Sequence, residues 1–326
     1  MKPLNLNRPC FLAWRRAGGL FLCIAAVAAA DPALALLIGP PILAINRNGN
    51  NLTVTVKGAP FASYSFCTSP TGDRAGTWNQ TTAVTANASG TASFSDVINP
   101  DVPQQFYAAV VGAGGVTGQP ISLSASNVYS LNVVGYVNVT CPPGFSLIAN
   151  PLNTTNNALP YVIRNNNVQP SDALPGCNFY FYDTTTGYSA YTYDDVDLAW
   201  TPDASTKLLG PGAGGFFRNS SGANIIITFV GEVLQGSLTN ICPVGYAIRS
   251  SKVPQAGTLT ALGFPANPGD LVFTYGNLTG YSAYTFDDVD FTWTPGNPDG
   301  PTISVGQAFF TKQLQSKTWV RNFTVQ

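Results

Sequence analysis

Gly187–Pro202 reads GYSAYTYDDVDLAWTP, and Gly280–Pro295 reads GYSAYTFDDVDFTWTP. The segments differ only at Tyr193/Phe286, Leu198/Phe291 and Ala199/Thr292, so 13 of 16 positions match at an offset of 93 residues. Identity of that length within one chain marks a tandem repeat. Working outward, Gly135–Phe145 (GYVNVTCPPGF) parallels Gly236–Tyr246 (GSLTNICPVGY), and Gly212–Phe217 (GAGGFF) parallels Gly306–Phe310 (GQAFF). Ile225–Phe229 (IIITF) likewise parallels Trp319–Phe323 (WVRNF). Repeat 1 therefore spans 129–230 and repeat 2 spans 231–326. Each reads as an opening strand, a variable loop, a central aromatic hairpin, a Gly-rich turn and two closing strands.

Upstream of the repeats, Leu52, Val54 and Val56 alternate with Thr53, Thr55 and Lys57, the pattern of a half-buried strand. Turn chemistry recurs at Ser69–Asp73, Asn87–Gly90 and Asn99–Asp101. Short strands at this spacing predict an immunoglobulin- or fibronectin III-like β-sandwich over 46–111. A Gly/Ser-rich stretch, 112–128, reads as a linker. The fold class expected is all-β: one sandwich followed by two tandem β-rich repeats.

Charged residues make up 10% of the chain, against about 25% in an average soluble protein. A net charge of −1 provides no long-range field for nucleic acid, which is excluded as a partner. The first 35 residues read as a secretory signal peptide. Lys2, Arg8, Arg15 and Arg16 are basic, Gly18–Ala30 is apolar, and small residues follow at Ala28–Ala30 and Ala33–Ala35. The expectation is a secreted or cell-surface protein with no membrane span after cleavage.

The stretches SNVYSLNVVGYVNVTCPPGFSLIANPLN (126–153), AYTYDDVDLAWTP (190–202) and GPGAGGFFRN (210–219) resemble a family of uncharacterised secreted repeat proteins of environmental bacteria. The shared pattern is a G-Y-x-N strand, an L-I-A-N-P-L turn, a W-T-P segment and a P-G-x-G-x-F-F turn. In the preceding module, SFCTSPTGDRAGTW and ASGTASFSDVINPDVPQQFY carry the likeness. The resemblance implies architecture and export but no assigned biochemistry. Repeat 2 departs from it where Ile248–Ser251 replaces Ile148–Pro151.

The chain has no histidine. That removes Ser-His-Asp triads, Cys-His dyads and histidine-based zinc sites, and points away from an enzyme. Carboxylates concentrate in Asp194, Asp195 and Asp197 and in Asp287, Asp288 and Asp290. Three uses compete for these runs. Asp caps turns by accepting hydrogen bonds from nearby backbone N–H groups. Packed hard oxygen ligands also suit calcium, the one cofactor the composition suggests. A carboxylate-only hydrolase would need two acids flanking a sugar bond.

Beside the runs lie rings. Period-two spacing places Tyr191 and Tyr193 on one strand face and Tyr188 on the other. Tyr191, Tyr193 and Trp200, with Tyr284, Phe286 and Trp293 in repeat 2, are candidates for stacking on sugar rings, the alternative being aromatic packing within and between repeats. Four cysteines lie beyond the signal segment, and Cys141–Cys177 is the expected bridge, with buried free thiols as the alternative. The leading expectation is a non-enzymatic surface or extracellular structural or adhesive protein. Its partner would be a polysaccharide or a surface protein, and its oligomeric state is left open by the sequence. A carbohydrate-binding protein is the second expectation.

Overall fold

The computed structural model describes residues 39–324 except 74, 113–116, 122 and 124–127. The signal peptide expected over 1–35 lies outside the described residues. Alternating sequences become strands throughout, and the fold is all-β with antiparallel sheets.

The N-terminal module contributes β1 (Ile42–Asn48), β2 (Asn51–Lys57), β3 (Ser63–Ser69), β4 (Trp78–Thr85), β5 (Thr91–Val97), β6 (Gln104–Val111) and β7 (Pro120–Ile121). Repeat 1 contributes β8 (Val134–Cys141), β9 (Gly144–Ile148), β10 (Val168–Gln169), β11 (Asn178–Asp183), β12 (Gly187–Tyr193), β13 (Trp200–Thr201), β14 (Gly215–Asn219) and β15 (Ile225–Glu232). A single helical turn, Leu159–Val162, sits in its variable loop. Repeat 2 contributes β16 (Gly236–Cys242), β17 (Gly245–Arg249), β18 (Gly257–Thr258), β19 (Leu271–Gly276), β20 (Gly280–Phe286), β21 (Trp293–Thr294), β22 (Thr302–Ile303), β23 (Phe309–Gln313) and β24 (Lys317–Phe323).

A three-stranded sheet, β1-β2-β5, faces a seven-stranded one of order β10-β15-β8-β6-β3-β4-β7. Leu52, Val54, Val56, Tyr64, Phe66 and Tyr107 fill the space between them, as sandwich packing requires. The seven-stranded sheet does not stop at the module boundary. β6 pairs with β8 from Gln104↔Val137 to Tyr107↔Val134, which continues the sandwich sheet into repeat 1. Within 112–128, expected as a linker, Pro120–Ile121 is β7 and pairs with β4, and Val128 accepts a hydrogen bond from Val111.

The two repeats build five-stranded sheets of matching order, β13-β12-β11-β14-β9 and β21-β20-β19-β23-β17. The inner face of the first packs on β8, β15 and β10 through Phe179, Tyr191, Trp200, Phe217, Ile225 and Phe229. In repeat 2, Phe264, Val272, Trp293, Phe309 and Trp319 form the corresponding core, with a two-stranded β16-β24 ribbon. Val253 and Phe323 of repeat 2 also join Trp78, Phe106 and Val137 on the back of the seven-stranded sheet. No helix among the described residues is long and apolar enough to cross a membrane.

Candidate functional site

The near-identical segments place their residues in three environments. The first is core. Ser189, Tyr191 and Tyr193 alternate with exposed Tyr188, Ala190 and Thr192 along β12. Tyr191, Tyr193, Trp200 and Trp293 are buried, and Tyr284 and Phe286 are half-buried against the repeat 2 core. Tyr193 meets Trp200 edge-on at 5.3 Å, Phe286 meets Trp293 at the same distance, and Trp200 Nε1 donates to Ile163 O at 2.8 Å. Of these six rings, weighed for sugar stacking against aromatic packing, four are thus buried in the cores and two lie half-buried against one. Burying such a side chain is worth about 1.5–3 kcal/mol, and the buried faces of Tyr191, Tyr193, Trp200 and Trp293 are closed to a ligand.

The second environment is a seam between the repeats. The outer faces of the two five-stranded sheets meet through Leu147, Phe216, Ile248, Ala308 and Phe310, flanked by Tyr180, Tyr182, Phe273 and Tyr275. The contacts are reciprocal. Phe216 lies 5.0 Å from Tyr275 and 6.2 Å from Tyr281, while Phe310 lies 5.1 Å from Tyr182 and 6.4 Å from Tyr188. Phe145, under Arg218, packs at a tilt on Tyr180, and Tyr246, under Lys312, packs at a tilt on Phe273. The hairpin turns cross over as well: Thr184 Oγ1 donates to Tyr246 O at 3.0 Å, and Asn277 Nδ2 donates to Pro143 O at 2.7 Å. Ala149 N donates to Gly306 O at 2.8 Å, and Ser250 N to Gly212 O at 3.1 Å. Gly214 permits this approach, because a Cβ there would strike the Ala308 methyl and the Ile148 carbonyl. Reciprocal contact of equivalent residues is the signature of an isologous, two-fold interface, here within one chain. Tyr188 and Tyr281 meet at its rim, each about half exposed (51% and 52%). Burial and the Tyr281 hydroxyl raise the Tyr188 pKa, and burial raises that of Tyr281.

The third environment is solvent, at two matching tips. Asp194 Oδ1 accepts from Val196 N (2.8 Å) and Asp197 N (2.9 Å), and Asp287 Oδ1 accepts from Val289 N (2.7 Å) and Asp290 N (3.1 Å). These backbone donors hold both carboxyls below the usual carboxylate value. The first Asp of each run is therefore a turn cap. Asp195, Asp197, Asp288 and Asp290 point out from the tips as exposed residues. Among the described residues, no three His, Cys, Asp or Glu side chains are grouped to hold a metal, so the calcium ligand set expected from the two runs is not assembled. Each tip ends on a residue with positive φ, Leu198 at 50° and Phe291 at 54°, a region uncommon for large side chains. Val196 is 84% exposed and Val289 77%; Leu198 and Phe291 are exposed beside them.

The expected Cys141–Cys177 bridge is not formed. Cys67, Cys141, Cys177 and Cys242 are buried free thiols. Cys141 Sγ contacts Val139 O and Cys177 Sγ contacts Ala173 O, and burial pushes the Cys141 thiol up to about 12 and Cys242 to about 11. Thiols so protonated behave as small apolar residues.

Comparison with known proteins gives no matching family model and no matching curated protein.

Proposed function

We propose that this is an exported, non-enzymatic structural or adhesive protein of the cell surface or extracellular space. The observation that carries this reading is the division of labour within the repeated segment. Its rings are spent on cores and on the seam, and what both copies leave in solvent is the same tip: capped Asp, exposed Val, and an exposed Leu or Phe at positive φ. Apolar side chains held out in solvent bury little surface, and backbone strain of this kind collects at functional positions. Two copies of one tip in one chain favour bivalent attachment, which raises avidity without any new contact. The resemblance to secreted bacterial repeat proteins and the lack of histidine agree with this assignment.

The test is retention of the purified protein on cell surfaces and on extracted surface polymers. The quadruple variant Val196→Ser, Leu198→Asn, Val289→Ser, Phe291→Asn should lose at least tenfold in retention with an unchanged Tm. Variants of one tip alone should lose most of the avidity. Full retention by the quadruple variant would remove the tips from the account.

A further inference from the structure

A cleft of about 440 Å³ opens where the outer strand β1 meets repeat 1, within the roughly 300–1,000 Å³ range of small-ligand sites. Arg47 of β1 and Arg164, from the loop after the helical turn, both line it. Arg47 is clamped: its Nη1 donates to Asn167 O (3.2 Å) and Thr228 O (3.0 Å), while its Nη2 is buried with no partner. Leaving a charged donor unsatisfied is costly. Burial and the charge of Arg164 push Arg47 down to about 10, so the two guanidiniums repel each other. Among the described residues, no carboxylate forms an ion pair with either. The one ion pair among the described residues joins Lys317 and Asp270, far along the chain in repeat 2. Glu232 lines the same cleft but pairs with neither arginine. In a chain with 10% charged residues, two uncompensated cations in one concavity ask for an anion.

The remaining lining says which kind. The volume is well beyond that of a lone inorganic oxyanion. Asn153 and Asn156 supply amides whose oxygens are engaged within the loop, Thr154 a hydroxyl that donates to Asn156 O, and Tyr161 is 54% exposed. Planar guanidinium forks match carboxylate geometry, amides and hydroxyls match sugar hydroxyls, and an exposed ring matches a sugar C–H face. We propose that this cleft binds an acidic saccharide, with the carboxylate of a uronic acid drawn to the exposed Arg164, backed by the buried charge of Arg47, and the sugar ring laid against Tyr161. The cleft and the tips share no residue, so either assignment can fail alone.

Isothermal titration of the full chain with oligogalacturonate tests this, with a neutral maltooligosaccharide and inorganic phosphate as the other arms. The expected result is saturable uronate binding that weakens as salt rises, with no binding of the neutral sugar. Arg164→Gln, at an exposed position, should weaken binding at least tenfold while leaving Tm unchanged, and Tyr161→Ala should weaken it several-fold. Arg47→Gln would unclamp β1, so Arg164→Gln is the deciding variant. Three results would overturn the assignment: no uronate binding at millimolar ligand, undiminished binding by Arg164→Gln, or phosphate bound as tightly as uronate, which would mean an adventitious oxyanion only.

Discussion

Asp194 and Asp287 each spend one carboxylate oxygen on two backbone N–H groups of their own turn. Such hydrogen bonds favour the ionised form, so folding lowers both pKa values below the ordinary 3.8. A depressed carboxylate contributes its stability fully above the unfolded value and loses it as pH falls through the folded one. Side-chain carboxyl NMR should therefore find both midpoints below 3.8, and Asp194→Asn/Asp287→Asn should flatten the loss of stability on acidification below that pH. Midpoints at or above the ordinary value would show that the turns do not depend on the charge. Of the uses the sequence left open for these runs, capping was legible because Asp before a short D-x-V-D turn has donors within reach of its own side chain. That the neighbouring carboxylates stay exposed and ungrouped was not legible, since no local rule fixes where a turn aims its later side chains.

At the scale of strands, the alternation in Gly187–Tyr193 separated the Tyr191/Tyr193 face from the Tyr188 face correctly. It could not say what covers either. Period two reports that a face is apolar, while the partner that buries it comes from β8 and β15 on one side and from repeat 2 on the other. This is why the sequence left sugar stacking and core packing open for the same rings, and why the arginine cleft, whose members lie more than 100 residues apart, carried no sequence signal. The reciprocal seam makes its own prediction. Phe216→Ala and Phe310→Ala each remove a ring that anchors the opposite sheet, at a cost of about 3–5 kcal/mol. Their centroids are 6.2 Å apart, so a double-mutant cycle by urea denaturation should show coupling of about 0.5–3 kcal/mol. Strict additivity would mean that the two halves of the seam act independently.

Across the whole molecule, the modules are joined by structure rather than by tether. β6 and β8 share a ladder, Arg47 links β1 to Thr228 and Asn167, and repeat 2 returns Val253 and Phe323 to the back of the sandwich sheet. A fragment cut at Tyr129 would strip β8 of β6 on one side and expose an edge that invites aggregation. Calorimetry of the intact chain should accordingly show one dominant transition for sandwich and repeat 1, with matching calorimetric and van't Hoff enthalpies. Two well-separated transitions would mean that the shared ladder carries little energy. The all-β class and the repeat were readable from alternation and internal identity, which are local or self-referential signals. The pairing of β6 with β8 was not, because strand partners separated by a Gly/Ser-rich stretch leave no periodic trace.

The seam, finally, is a homodimer contact written into a single polypeptide. Two separate copies meeting through such faces would part on dilution, because their association depends on concentration. Here each half is held at an effective concentration of about millimolar by the short Val233–Gln235 connection between β15 and β16. Covalent linkage has in this sense replaced mass action, and the pair stays assembled however few molecules are present.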